Sequence, residues 1–198
     1  MAESSDDDLM RAAGFGDRAA FGRLVTRHAA RMGALAGRIV GNRGDAEEIV
    51  QEAFLRAWLK APSWQAQDSA DGAARFTTWL GRVVVNLSLD RKRRVRPEPI
   101  EAAEHVADDG PDGFAATARA EAARRVAAAM ADLPERQRAA LVLCHYEGFS
   151  NIEAAEILEI SVGALESLLV RARRRLRDAL ADLAPEGTGT WTPNASMN

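Results

Sequence analysis

The stretch SNIEAAEILEISVGALESLLVRARRRLR, residues 150–177, decides the fold of the C-terminal part of this chain. Ser150 and Glu153 form a capping box, which predicts a short helix that ends near Leu158. Ser161 predicts the cap of a second helix, only a few residues further on. Two helices joined by so tight a turn predict a helix-turn-helix. The apolar residues expected to face inward are Ala154, Ala155, Ile157, Ile160, Val162 and Leu165.

The second of these helices is strongly basic in an acidic protein. Five arginines lie between residues 171 and 177, although the formal net charge of the chain is -3. Residues 82–96 form another basic segment, and the acidic residues of 98–112 follow it. Basic stripes are typical of nucleic-acid binding, and a solvated face on a generic helical hairpin is the alternative. The position of the arginines on the second helix favours a DNA-binding helix-turn-helix.

Composition predicts a helical, soluble protein. The chain has 198 residues, of which 47% are apolar and 28% charged, and alanine, leucine, arginine and glutamate dominate. The single cysteine, Cys144, excludes an intrachain disulfide and fits a reducing cytoplasm. The acidic N-terminus has no basic segment followed by an apolar one, as a secretory signal would have. No apolar run approaches the roughly 20 residues of a membrane span, so no direct membrane insertion is expected.

The helical periodicity predicts an all-α fold of two small helical domains joined by a flexible acidic linker. In the first domain, helices are expected over 17–40, from a cap at Asp45 to Pro62, and over 75–94, with a loop at 63–74. In the second, helices are expected from about Phe114 to Asp132 and from Pro134 to Gly148, before the helix-turn-helix. The predicted divisions are a first domain at 8–94, a linker at 95–113, a second domain at 114–182 and a disordered tail at 183–198.

Three segments in order resemble a bacterial RNA polymerase sigma factor of the extracytoplasmic-function (ECF) group of the sigma-70 family. They are GDAEEIVQEAFLRAW at 44–58, RFTTWLGRVVVNLSLDRKRR at 75–94 and LPERQRAALVLCHYEGFSNIEAAEILEISVGALESLLVRARRRLR at 133–177. The resemblance implies that the protein binds core RNA polymerase and directs promoter-specific transcription initiation. It implies a region 2 domain that binds polymerase and the −10 element. It also implies a region 4 domain that binds the −35 element and the β flap.

The second predicted helix carries a candidate polymerase-binding face. Glu48, Gln51 and Glu52 are spaced so that they share one face, away from the apolar stripe. Carboxylates and an amide suit arginine partners, although the spacing alone favours an ordinary solvated face. The resemblance implies that these three residues contact the basic coiled coil of the β′ subunit.

The third predicted helix and the loop before it carry the candidates for −10 binding. The resemblance implies that Asn86, in a V-x-N position, holds an unpaired base together with the loop around Trp64. Phe76 and Trp79 are aromatic residues at helical spacing, partly core and partly available for base stacking. The basic residues, Lys92 among them, are expected to contact phosphates, and Asp90 to orient its neighbours. The candidates are Trp64, Phe76, Trp79, Arg82, Asn86, Arg91, Arg93 and Arg94.

The arginine-rich helix carries the candidates for −35 binding, because the N-terminal part of the second helix of such a motif enters the major groove. Arg171 can read a guanine or grip a phosphate. Relatives often have a basic residue where this chain has Glu166, which repels phosphate but can accept from cytosine N4. The candidates are Ser161, Glu166, Ser167, Val170, Arg171 and Arg174.

No catalytic constellation is evident, so the protein is not expected to be an enzyme. Cys144 and His145, even with His105, lack the spacing of zinc ligands, and neither a metal nor another cofactor is expected. The resemblance implies an anti-sigma partner, which could hold a cytoplasmic stress-response sigma factor at the inner membrane. Two alternatives stay open. One is a helix-turn-helix regulator that acts without core polymerase, and the other is an adaptor that mimics a sigma factor and binds an anti-sigma factor.

Overall fold

The computed structural model describes residues 4–64, 74–94 and 113–181. These ranges are helical, which confirms the all-α prediction, and none of their helices is both long and apolar enough to cross a membrane. The predicted tail, nearly all of the predicted linker and most of the predicted 63–74 loop lie outside the described residues. The helices are α1 (Asp6–Gly14), α2 (Arg18–Val40), α3 (Arg43–Lys60), α4 (Ala74–Arg94), α5 (Gly113–Ala131), α6 (Glu135–Leu141), α7 (Asn151–Leu158) and α8 (Val162–Ala179).

Helices α1 to α4 enclose the core of the N-terminal region. Leu24, Met32 and Leu35 of α2 are fully buried, because they recur at helical spacing on the face that packs against α3 and α4. Asp17 caps α2 by accepting from the Ala20 N–H at 2.9 Å. Gly41 ends α2 in the left-handed region, with φ of 78°.

The start of α3 differs from the prediction. Asn42, not Asp45, is the cap: its side-chain oxygen accepts from the Asp45 N–H at 3.0 Å, and the helix begins at Arg43. Asp45 therefore lies inside the first turn, where its carboxylate is free to pair with Arg91 at 3.0 Å. Asparagine and aspartate are both good N-cap residues, and Asn42 caps α3 because it lies immediately before the first helical residue.

Helices α7 and α8 form the predicted helix-turn-helix. The Ser150 and Glu153 capping box is present, and Ser161 caps α8 by accepting from the Ala164 N–H at 3.2 Å. Glu159 makes the turn in the left-handed region, with φ of 54°. Val162 is wrongly placed by the prediction: as the first residue of α8 it is exposed, whereas the other inward-facing candidates are buried or, for Ile160, half-buried.

The two helical regions pack against each other in a continuous core. Helix α4 meets α7, and a Cβ on Gly81 would lie 3.2 Å from Ile157 Cδ1 and 3.5 Å from Phe149 Cζ. Glycine thus permits a close approach between the region before residue 95 and the region after residue 112.

Polar contacts reinforce this packing at residue Glu147, which follows the π-helical segment Val142–Tyr146. Its backbone carbonyl accepts from Arg31 Nη2 at 2.6 Å, and its carboxylate pairs with Arg38 Nη1 at 2.9 Å. The Arg31 guanidinium also lies 4.4 Å from the centre of the Phe149 ring. Both arginines belong to α2, so α2 contacts the C-terminal region along two of its turns.

Candidate polymerase and nucleic-acid interfaces

The outer face of α3 presents the predicted polymerase-binding residues to solvent. Glu48 and Gln51 are exposed and Glu52 is half-buried. Two leucines on the same face were not predicted as site residues: Leu55 and Leu59 are 52% and 69% exposed. They follow Gln51 at i+4 and i+8, and this spacing off the main apolar stripe was the signal that could have revealed them. The face therefore combines acidic, amide and apolar groups.

Two of the acidic residues on this face already have cationic partners. Glu52 pairs with Arg56 at 2.8 Å on its own helix. Glu48 pairs with Arg91 of α4, which also contacts Asp45. The structure thus brings a predicted polymerase contact and a predicted DNA contact together, and the pair joins α3 to α4.

An aromatic cluster of Trp64, Phe76 and Trp79 lies where the 61–64 segment meets α4. The Trp64 ring is edge-on to both others, with centroids 5.8 Å from Phe76 and 5.7 Å from Trp79. Phe76 is completely buried and packs against His28, so the expectation that it contacts DNA is corrected. Its ring instead supports Trp64 and Trp79, which are both half-buried and keep part of their surface accessible.

Asn86 is exposed on the same face of α4 as Trp79, seven residues earlier. Arg93 and Arg94 are exposed at the end of the helix, and Asp90 lies 3.7 Å from Arg93, as a residue that orients its neighbour would. An amide, an accessible aromatic ring and exposed cations on one helix can bind a single strand by edge hydrogen bonds, stacking and phosphate contacts.

Two other basic residues of α4 face the C-terminal region. Arg82 lies 4.0 Å from Glu159, and its buried Nε has no hydrogen-bond partner among the residues that the structure describes. Burial lowers the pKa of Lys92, and the nearby Arg138 adds to that effect, whereas the carboxylates of Glu135 and Asp45 oppose it. In this arrangement neither cation is as open to a phosphate as the sequence suggested.

The exposed face of α8 carries the predicted −35 residues. Leu165, Leu169 and Ala172 bury the opposite face, which leaves Glu166, Ser167, Val170, Arg171 and Arg174 exposed, with Val170 at 63%. Ser161 is also exposed, but its hydroxyl is engaged as the helix cap. The face thus offers one carboxylate, one hydroxyl, one apolar side chain and two guanidinium groups.

Some of these side chains have intramolecular partners. Ser167 Oγ donates to the Gly163 carbonyl at 3.0 Å, and Arg174 lies 3.9 Å from Asp178. Both contacts stay on the surface of α8 and can exchange for contacts with DNA.

Arg173, next to this face, is half-buried and its Nη2 lies 2.8 Å from His145 Nε2. Burial, and then the charge of Arg173, lower the pKa of His145, which favours a neutral ring that accepts from the guanidinium. The adjacent Cys144 thiol is half-buried, and its burial raises its pKa. His105 lies outside the described residues, and in the described part no three histidine, cysteine or acidic side chains converge on one point.

Both helical regions match known protein families. Residues 24–98 match the family profile Sigma-70 region 2, and residues 123–176 match Sigma-70, region 4. The chain is 34% identical over 179 residues to the ECF RNA polymerase sigma factor SigW of Bacillus subtilis (strain 168), covering 85% of this chain and 92% of that protein. It is 36% identical over 196 residues to the RNA polymerase sigma factor CnrH of Cupriavidus metallidurans, covering 93% and 98%.

The fold agrees with these matches. A solved structure of CnrH in complex with the cytosolic domain of CnrY superposes with a TM-score of 0.67 and 30% identity, covering 92% of this chain and 100% of that one. This protein belongs to the ECF group of the sigma-70 family of RNA polymerase sigma factors. It directs transcription initiation. The two alternative functions, a regulator that acts without core polymerase and an adaptor that mimics a sigma factor, are not favoured.

Proposed function

We propose that the three exposed faces divide the work of promoter-specific initiation. The outer face of α3 binds the β′ coiled coil of core RNA polymerase through Glu48, Gln51 and Glu52, and Leu55 and Leu59 add apolar area. The accessible aromatic rings of Trp64 and Trp79 and the amide of Asn86 hold the −10 strand, while exposed arginines of α4 contact its phosphates. The exposed face of α8 reads the −35 element, and the C-terminal region also meets the β flap.

The exposed face of α8 is the observation that supports this proposal most directly. It projects from a motif whose two helices are capped and joined as a DNA-binding helix-turn-helix requires. Glu166 sits among apolar and hydroxyl groups at the N-terminal half of the helix, where base edges are read, and the arginines follow one turn later. We propose that Glu166 favours a cytosine at one position of the −35 element and that Arg171 binds a guanine or a phosphate.

We further propose that an anti-sigma factor regulates this protein. CnrH is similar to this protein over nearly the whole length of both chains. The solved structure of CnrH contains the cytosolic domain of CnrY bound to it. The partner would compete for the same exposed faces and would keep the protein in the cytoplasm or, if itself membrane-bound, at the inner membrane.

Run-off transcription tests the proposal as a whole. Purified core polymerase and this protein are incubated with a genomic fragment library, and transcript starts are mapped by sequencing. We expect discrete starts that share two spaced upstream motifs, which are the −35 and −10 elements. Binding of DNA fragments without any binding of core would favour the independent regulator, and binding of core without starts would favour the mimic.

We expect the double variant Gln51→Ala, Glu52→Ala to weaken binding of core polymerase about tenfold. The loss follows from two polar contacts to an arginine-rich partner, at about 1 kcal/mol each or less on a surface. Fluorescence anisotropy of labelled protein titrated with core measures it. Glu121→Ala is the control, because Glu121 is an exposed acid of α5 paired with Arg124 at 3.0 Å. Equal affinity of the double variant and the wild type would refute this face as the contact.

We expect Arg171→Ala to weaken binding of the mapped −35 duplex about tenfold, or about 1.4 kcal/mol. A base-reading arginine would also relax specificity at one position, whereas a phosphate contact would lower affinity evenly and reduce the salt dependence. Electrophoretic mobility shifts with each single-base variant of the duplex separate the two. Arg124→Ala, on the surface of α5, should leave binding unchanged, and a similar loss in that control would show a non-specific charge effect.

A further inference from the structure

The N-terminal helix α1 was absent from the sequence-based predictions, and it contacts the edge of the proposed −10 surface. Ser5 caps it by accepting from the Asp8 N–H at 3.1 Å, and three aspartates fill its first turn, where the helix dipole favours negative charge. Two of them, Asp6 and Asp7, are buried, which is unusual for carboxylates and requires specific partners.

Asp6 fastens α1 to α2. Its Oδ2 lies 2.7 Å from His28 Nε2, and its Oδ1 accepts from Arg27 Nη1 at 2.5 Å. His28 is buried and its ring lies 5.4 Å from the centre of the Phe76 ring. The first turn of α1 is therefore held in a fixed position beside the aromatic cluster.

Asp7 then reaches across to the cluster itself. Its Oδ1 accepts from the Trp64 indole N–H at 2.9 Å. At the other end of α1, a Cβ on Gly14 would lie 2.6 Å from the Ala61 carbonyl oxygen, so the helix packs directly on the 3-10 turn Ala61–Ser63 that precedes Trp64. Helix α1 thus contacts the 61–64 segment at both of its ends.

We infer that Asp7 is a positioning residue for −10 recognition, acting through its hydrogen bond to the Trp64 indole. An indole ring that loses this bond keeps its edge contacts to Phe76 and Trp79 and its packing against the core, but these contacts fix its orientation less specifically than a directional hydrogen bond does. The bond fixes one ring orientation, so that the accessible part of Trp64 is preorganised for an unpaired base. The inference rests on the proposed role of Trp64 in −10 binding.

The test is a double-mutant cycle in reconstituted holoenzyme on a promoter mapped by the run-off experiment. Open-complex formation is measured by permanganate reactivity of unpaired thymines for Asp7→Ala, Trp64→Phe and the double variant. Phenylalanine keeps a ring but has no N–H donor. We expect each single variant to lower the rate of opening about fivefold and the double variant to be no worse than either.

Two further variants separate positioning from general support of the fold. Asp7→Asn keeps an acceptor oxygen at the same place and should restore opening to within twofold of the wild type. Asp8→Asn removes the same charge from the same turn at an exposed position and should leave opening unchanged. Core binding and −35 duplex binding should be unchanged in all variants, which also shows that they are folded.

Opposite outcomes are distinguishable. The role of Asp7 would be overturned if Asp7→Ala opened the promoter at the wild-type rate. It would also be overturned if the fold-losses in opening rate of the two single variants multiplied in the double variant. Either result would leave the proposed −10 surface intact. Trp64→Ala tests that surface separately, because it removes the whole ring. If Trp64→Ala opens the promoter normally, then Trp64 is not part of the −10 site and both proposals fail at this residue.

Discussion

Replacing Arg138 with methionine will lower the free energy of unfolding by about 3 kcal/mol and the midpoint of thermal unfolding by roughly 6–12 °C. Arg138 is 4% exposed, and its guanidinium donates to the carbonyls of Ile39 at 2.8 Å, of Leu133 at 3.1 Å and of Ala131. Methionine fills a similar volume but leaves three carbonyls without this donor, those of the buried Ile39 and Leu133 among them.

The position of these carbonyls explains the size of the effect. Ile39 lies in the last turn of α2, and Ala131 is the last residue of α5, where backbone carbonyls have no partner within their own helix. A cation is also favoured at the negative end of the helix dipole. Burial lowers the pKa of Arg138, and the nearby carboxylates of Glu135 and Asp132 oppose that shift. A guanidinium stays protonated in proteins, so the side chain acts as a cationic donor. One side chain thus caps two helices from different regions of the protein.

Arg136→Met is the matched control, because Arg136 lies two residues away, is exposed and, within the described part of the chain, donates one such bond, to the Leu158 carbonyl at 3.2 Å. Its expected loss is under 1 kcal/mol. Urea denaturation followed by circular dichroism gives both values. Equal stability of the Arg138→Met variant and the wild type would mean that the carbonyls find other donors and that the inter-region cap is unimportant.

Replacing Asp6 with asparagine will lower the free energy of unfolding by about 2 kcal/mol near pH 7, and this loss will fade in acid. Burial alone would raise the pKa of Asp6, but the hydrogen bonds and charges of His28 and Arg27 outweigh it and hold the pKa below its ordinary value. An amide has the same shape but cannot make two charge-assisted contacts.

The pH dependence follows from the direction of that shift. A carboxyl whose pKa is lower in the folded state stabilises the protein at any pH above its pKa in the unfolded state, about 3.9. This stabilisation is lost as the pH falls through the pKa that the carboxyl has in the folded state. The difference in stability between the wild type and Asp6→Asn should therefore be present near pH 7 and shrink as the pH falls below about 4.

Thermal unfolding at several pH values measures this difference directly. Asp8→Asn is the control, since Asp8 is exposed in the same turn and its 2.8 Å contact with Arg11 lies on the surface, where solvent screens it. A difference that persists unchanged in acid would show that asparagine disturbs the packing and that the charge of Asp6 contributes nothing.

The sequence predicted best where the signal is local. Ser150, Glu153 and Ser161 lie within a few residues of the backbone groups they cap, so the helix-turn-helix could be read directly from their spacing. The one cap assigned to the wrong residue was that of α3, where Asn42 and Asp45 are both good capping residues and lie three positions apart. Helix α1 was missed because a run of aspartates is usually a solvated segment, and burial of two of them depends on partners far along the chain.

The candidate site shows the same division. The exposure of Glu48, Gln51, Glu166 and Arg171 agrees with their helical positions, and their roles stay predictions. Phe76 and Trp79 looked equivalent in sequence, yet the first is completely buried and the second is not. Their difference depends on how α4 meets α2 and the 61–64 segment, which no periodicity within α4 can reveal.

By itself, the sequence determined the helical fold, the helix-turn-helix and the sigma factor family, because caps, periodicity and ordered motifs all act over short stretches of chain. Only the tertiary structure decided that the two regions share a core, that Arg138 joins carbonyls up to 99 residues away, and that Asp7 holds Trp64. These contacts depend on the angles and distances at which helices cross. Those are set by the packing of many side chains at once and not by any one segment.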